Sequence, residues 1–233
     1  MKLMKKIILL SFCIFSFISN TDAQDVAALV QKVRAKLDLV NSYVADGIMR
    51  TNVNFLKVPE AHVKIYFKKP DKLKIKNENG ISLVPKSILD ISLSNLLRGN
   101  YTPLKVGSDI INGNKVEIVK LIPNDDNGEI VLSTIYIDEQ KLLIVKSKIA
   151  TRENGSFEME MSYGKYGDYA LPDKLICSFN TKDYKLPKGV TFDYDDGNKK
   201  TSADSSPNQT GKVEITYYSY EVNKQIPDSI FGD

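Results

Sequence analysis

The chain is poor in the residues that carry most chemistry. Its 233 residues include one histidine, His62, and two cysteines, Cys13 and Cys177. A single histidine excludes any site built on two imidazoles. Cys177 alternates with Leu175 and Phe179, so it reads as packing; a reactive thiol needs an accessible, electropositive setting. Neither a G-x-G-x-x-G nor a G-x-x-x-x-G-K phosphate loop occurs, and no G-x-S-x-G elbow is present. Acidic residues cluster at Asp125-Asp126 and between Asp193 and Asp196, without the spacing of a calcium loop. The expectation is a protein that is not an enzyme, with no catalytic residues, no metal and no cofactor.

The one long apolar run lies at the start. Met1 to Lys6 carries three lysines, Ile7 to Ile18 is apolar but for Ser11 and Ser16, and a small residue follows at Ala23. This order of basic, apolar and small segments marks a cleavable signal peptide over 1–23 and an exported protein. The run falls short of the ~20 residues of a membrane-spanning helix. Cys13 sits inside the run, behind Phe12, a poor setting for lipidation. Cleavage leaves Cys177 alone, so no intramolecular disulfide forms and a core must hold the protein together. Of the chain's 32 basic and 29 acidic residues, the leader takes Lys2, Lys5, Lys6 and Asp22, leaving 29 and 28. That balance gives no argument for a nucleic-acid partner, which shows as a basic face or patch, and none is expected.

Residues 24–233 read as one domain. Val26, Leu29, Val30, Val33, Leu37 and Val40 recur at helical spacing behind a capping Asp25, which predicts a helix ending near Asn41. The period then changes to two. Strands are predicted over 44–56, 61–68, 72–76, 114–122, 129–138, 142–151, 155–165, 174–181, 189–194 and 211–220, with Gly, Asn, Asp and Pro turns between them. Residues 86–98 interrupt the β pattern: Leu89, Leu93, Leu96 and Leu97 make one helical face, and Gly99 stops it. Asp195 to Gly211 reads as a long loop. Ten strands and two or three helices argue for one mainly antiparallel β (α+β) fold, a curved sheet or open barrel.

Two amphipathic helices cannot cover the apolar face of so wide a sheet. Either the sheet curls to bury itself, or an apolar hollow remains that accepts apolar ligands. Val63, Ile65 and Phe67 point to one side of their strand, as do Phe157, Met159, Met161 and Tyr163 of theirs. With Leu89, Leu93, Leu96 and Leu97 they are the candidate lipid-contacting residues, and methionine suits a surface that adapts to a flexible ligand. The pattern fits solid core as well.

Four stretches carry a resemblance. They are Tyr66-Phe67-Lys68-Lys69-Pro70-Asp71-Lys72-Leu73-Lys74-Ile75, then Ile135 to Asp138 with Leu142 to Ile144. Tyr163-Gly164-Lys165-Tyr166 ahead of Leu171-Pro172-Asp173-Lys174 and the terminal Tyr220 to Phe231 follow. In this order, over nearly all of residues 25–231, they resemble periplasmic lipoprotein carriers of the LolA type and their outer-membrane-lipoprotein-sorting relatives. The resemblance implies a half-open β-barrel with a helical lid. It implies a periplasmic monomer that shelters acyl chains of lipoproteins, or another lipid, and hands them towards the outer membrane. Its partners would be an inner-membrane release complex and an outer-membrane acceptor. A non-catalytic lipid-sensing or interaction module of the same fold is the second reading. The family's lid-locking arginine precedes the proline; here that position is Lys69, a flexible point charge in place of a rigid fork, and the 87–98 helix is the expected lid.

Overall fold

A computed structural model describes residues 21–53, 56–57, 59–77, 96–97, 99–125, 127–153, 155–180 and 210–232. The helix α1 spans Thr21–Leu37. Eleven strands follow among the described residues: β1 Ser42–Val53, β2 Leu56–Lys57, β3 Ala61–Lys68, β4 Lys72–Asn77, β5 Tyr101–Ile111, β6 Asn114–Pro123, β7 Ile130–Asp138, β8 Leu143–Thr151, β9 Ser156–Ser162, β10 Lys174–Asn180 and β11 Thr210–Val222. Every pairing is antiparallel, and the order is β4-β3-β1-β11-β10-β9-β8-β7-β6-β5, with β2 folding back on β1. β4 and β5 end the path and do not pair, so the sheet is open.

Most of the predicted strands form within a residue or two of their expected bounds, because period two survives wherever one face is buried. The strand predicted over 44–56 ends at Val53 and turns back as β2, and the long strand missed is β5. Pro103, Gly107 and Asp109 break its apolar alternation, and its register against β6 shifts between Lys105 and Gly107. Such a bulge suits an edge strand, where a partner is needed on one side only. The predicted helix over 86–98 and strand over 189–194 lie outside the described residues, apart from Leu96 and Leu97.

Side chains alternate across the sheet, and the register lines up one apolar row after another. Phe67 of β3 faces Tyr43 of β1, and Ile65 faces Ala45. Ile215 of β11 faces Leu175 of β10, which faces Met161 of β9. Met159 faces Ser147 of β8, Ser147 faces Ile135 of β7, and Ile135 faces Val119 of β6. This inner face and Val26, Val30 and Val33 of α1 form one buried cluster. Gly47 is required where β1 meets β11: a Cβ there would lie 2.6 Å from the Thr216 carbonyl oxygen.

The helix shows how the sheet curls. At 1.5 Å per residue α1 is about 25 Å long, whereas ten flat strands would span roughly 43 Å. Yet α1 packs on β5 at one edge, Lys36 Nζ donates to the Lys141 carbonyl in the β7–β8 turn at 2.6 Å, and Asp38 meets Lys69, just before the other edge strand. The sheet wraps the helix. We call the end holding these turns the upper end; β5, β7 and β9 start at the lower end.

Candidate functional site

The inner face gathers most of the candidate residues. Val63, Ile65, Leu96, Leu97, Phe157, Met159 and Met161 are all buried in the one cluster, and Tyr163 packs against it. Phe67 stacks on Tyr43 with ring centroids 5.2 Å apart. Leu89 and Leu93 lie outside the described residues. Leu97 is wholly buried, and its carbonyl accepts a 3.2 Å hydrogen bond from Tyr101 Oη. The last turn of the expected lid segment is thereby joined to β5.

The upper end is rich in aromatic rings, and most of its polar groups are paired. Tyr43, Tyr166, Tyr217 and Tyr220 meet in stacked and edge-on pairs with centroids 5.0–5.4 Å apart. Tyr220 Oη donates to the Pro172 carbonyl and Tyr163 Oη to the Ile144 carbonyl, both at 2.7 Å. Burial pushes both phenols above the usual tyrosine range. Glu117 is buried on the inner face near the start of β6, held by Lys115 Nζ at 3.0 Å and Lys105 Nζ at 3.1 Å. Burial pushes its carboxyl up, but the two lysines outweigh this and hold it below the ordinary glutamate value. Lys69 Nζ donates to both the carbonyl and the carboxylate of Asp38, each at 2.9 Å. The latch position therefore clasps the C-terminal end of α1, where a cation also meets the negative end of the helix dipole.

The lower end is different. A recess of about 380 Å³ opens at the β5–β6–β7 corner. Leu96, Leu121 and Ser133 form its buried inner wall, Tyr101, Pro123 and Ile130 its sides, and Asn100, Asp125 and Glu129 its exposed mouth. Three hydroxyls on the inner face have no hydrogen-bond partner among the described residues: Thr51, Ser133 and Ser147. Ser133 and Ser147 are 1% and 0% exposed. An unsatisfied buried hydroxyl costs about 1–3 kcal/mol. A larger groove, about 660 Å³, lies at the same end and includes Thr134, Lys148, Glu158 and Ser178 of the outer face.

Sequence reasoning missed the recess because it missed β5. The signal was present in β7: Ser133 takes an apolar-register position two residues before Ile135, and Ser147 does so before Ile149 in β8. A serine in an apolar row is the visible mark of such a site.

Cys177 and His62 lie on opposite faces of the sheet. Cys177 lies on the inner face, 2% exposed, and burial pushes its thiol up to about 12. His62 faces outward from β3, opposite Ile48. Among the described residues no three His, Cys, Asp or Glu side chains are placed to hold a metal ion, and no helix is long and apolar enough to cross a membrane.

Fold and face together define an open antiparallel sheet wrapped around one helix with an apolar interior. No family model matches the chain, and no curated protein matches it in sequence. Solved structures do. An outer membrane lipoprotein-sorting protein domain from Vibrio parahaemolyticus superposes with a TM-score of 0.59 at 10% identity, over 90% of this chain and 97% of that one. A DUF1329 family protein from Desulfovibrio piger superposes with a TM-score of 0.53 at 10% identity, over 90% and 96%. A LolA superfamily protein from Nitrosomonas europaea aligns at 0.49 and 12% identity, over 88% and 97%. The chain shares the fold of the outer membrane lipoprotein-sorting protein domain from Vibrio parahaemolyticus. At such identities the likeness is one of fold.

Proposed function

We propose that the protein is an exported, periplasmic carrier. It binds acyl chains of lipoproteins, or of another lipid, against the inner face of the sheet and passes them towards the outer membrane without chemistry of its own. The observation that carries this reading is the largely apolar inner face of the sheet, interrupted by Thr51, Glu117, Ser133 and Ser147, with a recess at its lower end. Burying an acyl chain contributes ~0.8 kcal/mol per methylene, so such a surface captures lipid with no charged anchor. The fold shared with a lipoprotein-sorting domain supports the same reading. Residues 1–23 serve as the cleaved leader, an inner-membrane complex loads the carrier, and an outer-membrane acceptor unloads it.

Native mass spectrometry of the protein purified from its own host tests the reading. The expected spectrum shows a chain starting at Gln24 with bound lipid or lipopeptide adducts. A protein that carries no lipid, and takes up none from diacyl lipid micelles, would overturn it. The second reading, an interaction module of the same fold, draws on β5, where Leu104, Val106 and Ile110 are 52%, 52% and 72% exposed on an edge strand. A stable complex with a periplasmic protein domain, formed equally well by lipid-free protein, is the result it expects.

A further inference from the structure

We propose that the β5–β6–β7 recess receives the carbonyl-bearing stretch of an uncharged acyl ester, with Ser133 Oγ donating a hydrogen bond to that carbonyl. This rests on the lipid-carrier reading and narrows its ligand.

Three observations converge. Ser133 lies on the inner wall of the recess, directly across from Leu121, which also lines it. Its hydroxyl is buried and has no acceptor among the described residues. The strand ladders on both sides already engage the neighbouring backbone, since Ser133 pairs with Leu121 on β6 and with Ile149 on β8. The other hydroxyl on the lining, Tyr101 Oη, is committed to the Leu97 carbonyl. Ser133 is therefore the buried side-chain donor left for a ligand, with the Asn100 amide at the exposed mouth.

The charge of the lining decides which acceptor. No lysine, arginine or histidine lines the interior; Asp125 and Glu129 stand at the mouth, and Arg152 donates from outside to the Gly128 carbonyl at 3.0 Å. A fatty acid carboxylate drawn inside would be buried without a cation, which is strongly unfavourable. A neutral ester carbonyl needs only the one hydrogen bond. A volume of about 380 Å³ also lies within the range of pockets that hold small organic ligands. Ser147 supplies the internal contrast. It is as buried as Ser133, on the same face and equally unpartnered, but it does not line the recess.

The test uses delipidated mature protein loaded with the fluorophore N-phenyl-1-naphthylamine, displaced in turn by methyl palmitate, palmitate and heptadecane. Methyl palmitate is expected to displace it at about three- to tenfold lower concentration than either of the others, the range for one neutral hydrogen bond. Ser133→Ala should erase that preference and leave the heptadecane titration unchanged; Ser133→Thr should restore it. Ser147→Ala should leave all three titrations as they are. An ester preference that survives Ser133→Ala, or that Ser147→Ala removes equally, would overturn the assignment. Equal displacement by all three probes sinks this assignment and leaves the carrier reading standing. Displacement by none sinks both.

Discussion

The two ends of the inner face follow different rules. At the upper end most polar groups are partnered: Tyr163 and Tyr220 reach carbonyls, Glu117 forms ion pairs with two lysines although its Oε2 has no hydrogen bond of good geometry, and Ser42 Oγ donates to the Lys224 carbonyl at 2.6 Å. The Asn223 amide ties the same end to the residues after α1, accepting from the Asn41 N–H at 2.7 Å and donating to the Leu39 carbonyl at 3.0 Å. At the lower end and mid-sheet, Thr51, Ser133 and Ser147 have none. Satisfied networks rigidify a structure, and unsatisfied ones weaken it. The upper end ties elements distant in sequence together, and toward the lower end three buried hydroxyls stand unpartnered, of which Ser133 lines the recess.

Four substitutions sharpen or break this contrast. The largest effect is expected from Phe67→Ala at the upper end, which empties a stacked aromatic site and should cost about 3–5 kcal/mol in urea denaturation. Tyr220→Phe removes one hydroxyl and leaves the Pro172 carbonyl without its donor, for a loss of about 1–3 kcal/mol. Lys69→Met cuts the clasp on α1. Because the Asp38 side chain is half exposed, the expected loss is only about 0.2–1 kcal/mol, seen as a small drop in thermal midpoint that added salt reproduces in the native chain. Ser147→Ala should work in the opposite direction and stabilise, by up to about 1–3 kcal/mol, since it removes a buried hydroxyl that bonds to nothing. If Ser147→Ala destabilises as much as Tyr220→Phe, the two ends do not differ as described.

Much of the sheet was legible because burial of one face enforces alternation. The 61–68 and 157–163 segments announced both their strand character and their inward residues. The helix at 25–40 was legible too, although it starts at Thr21 and ends at Leu37, followed by a turn that keeps Val40 buried. What could not be read was long-range. No local pattern says that Lys69 meets Asp38, or that β4 and β5 end the sheet. β5 itself was hidden by its proline, its glycine bulge and its exposed apolar side chains, the marks of a strand with one neighbour. The recess went unseen with it, since its walls come from three strands and the residues just before them.

An unclosed sheet has a consequence for size. A sealed barrel has a girth fixed by its strand number and stagger, so admitting a wider guest means breaking ladder bonds. Here the two rims, β4 and β5, share no such bonds. On the carrier reading the circumference would widen by changes of twist alone, so that guests of one thin tail or several thick ones would fit the same wall without a single strand letting go of its neighbour.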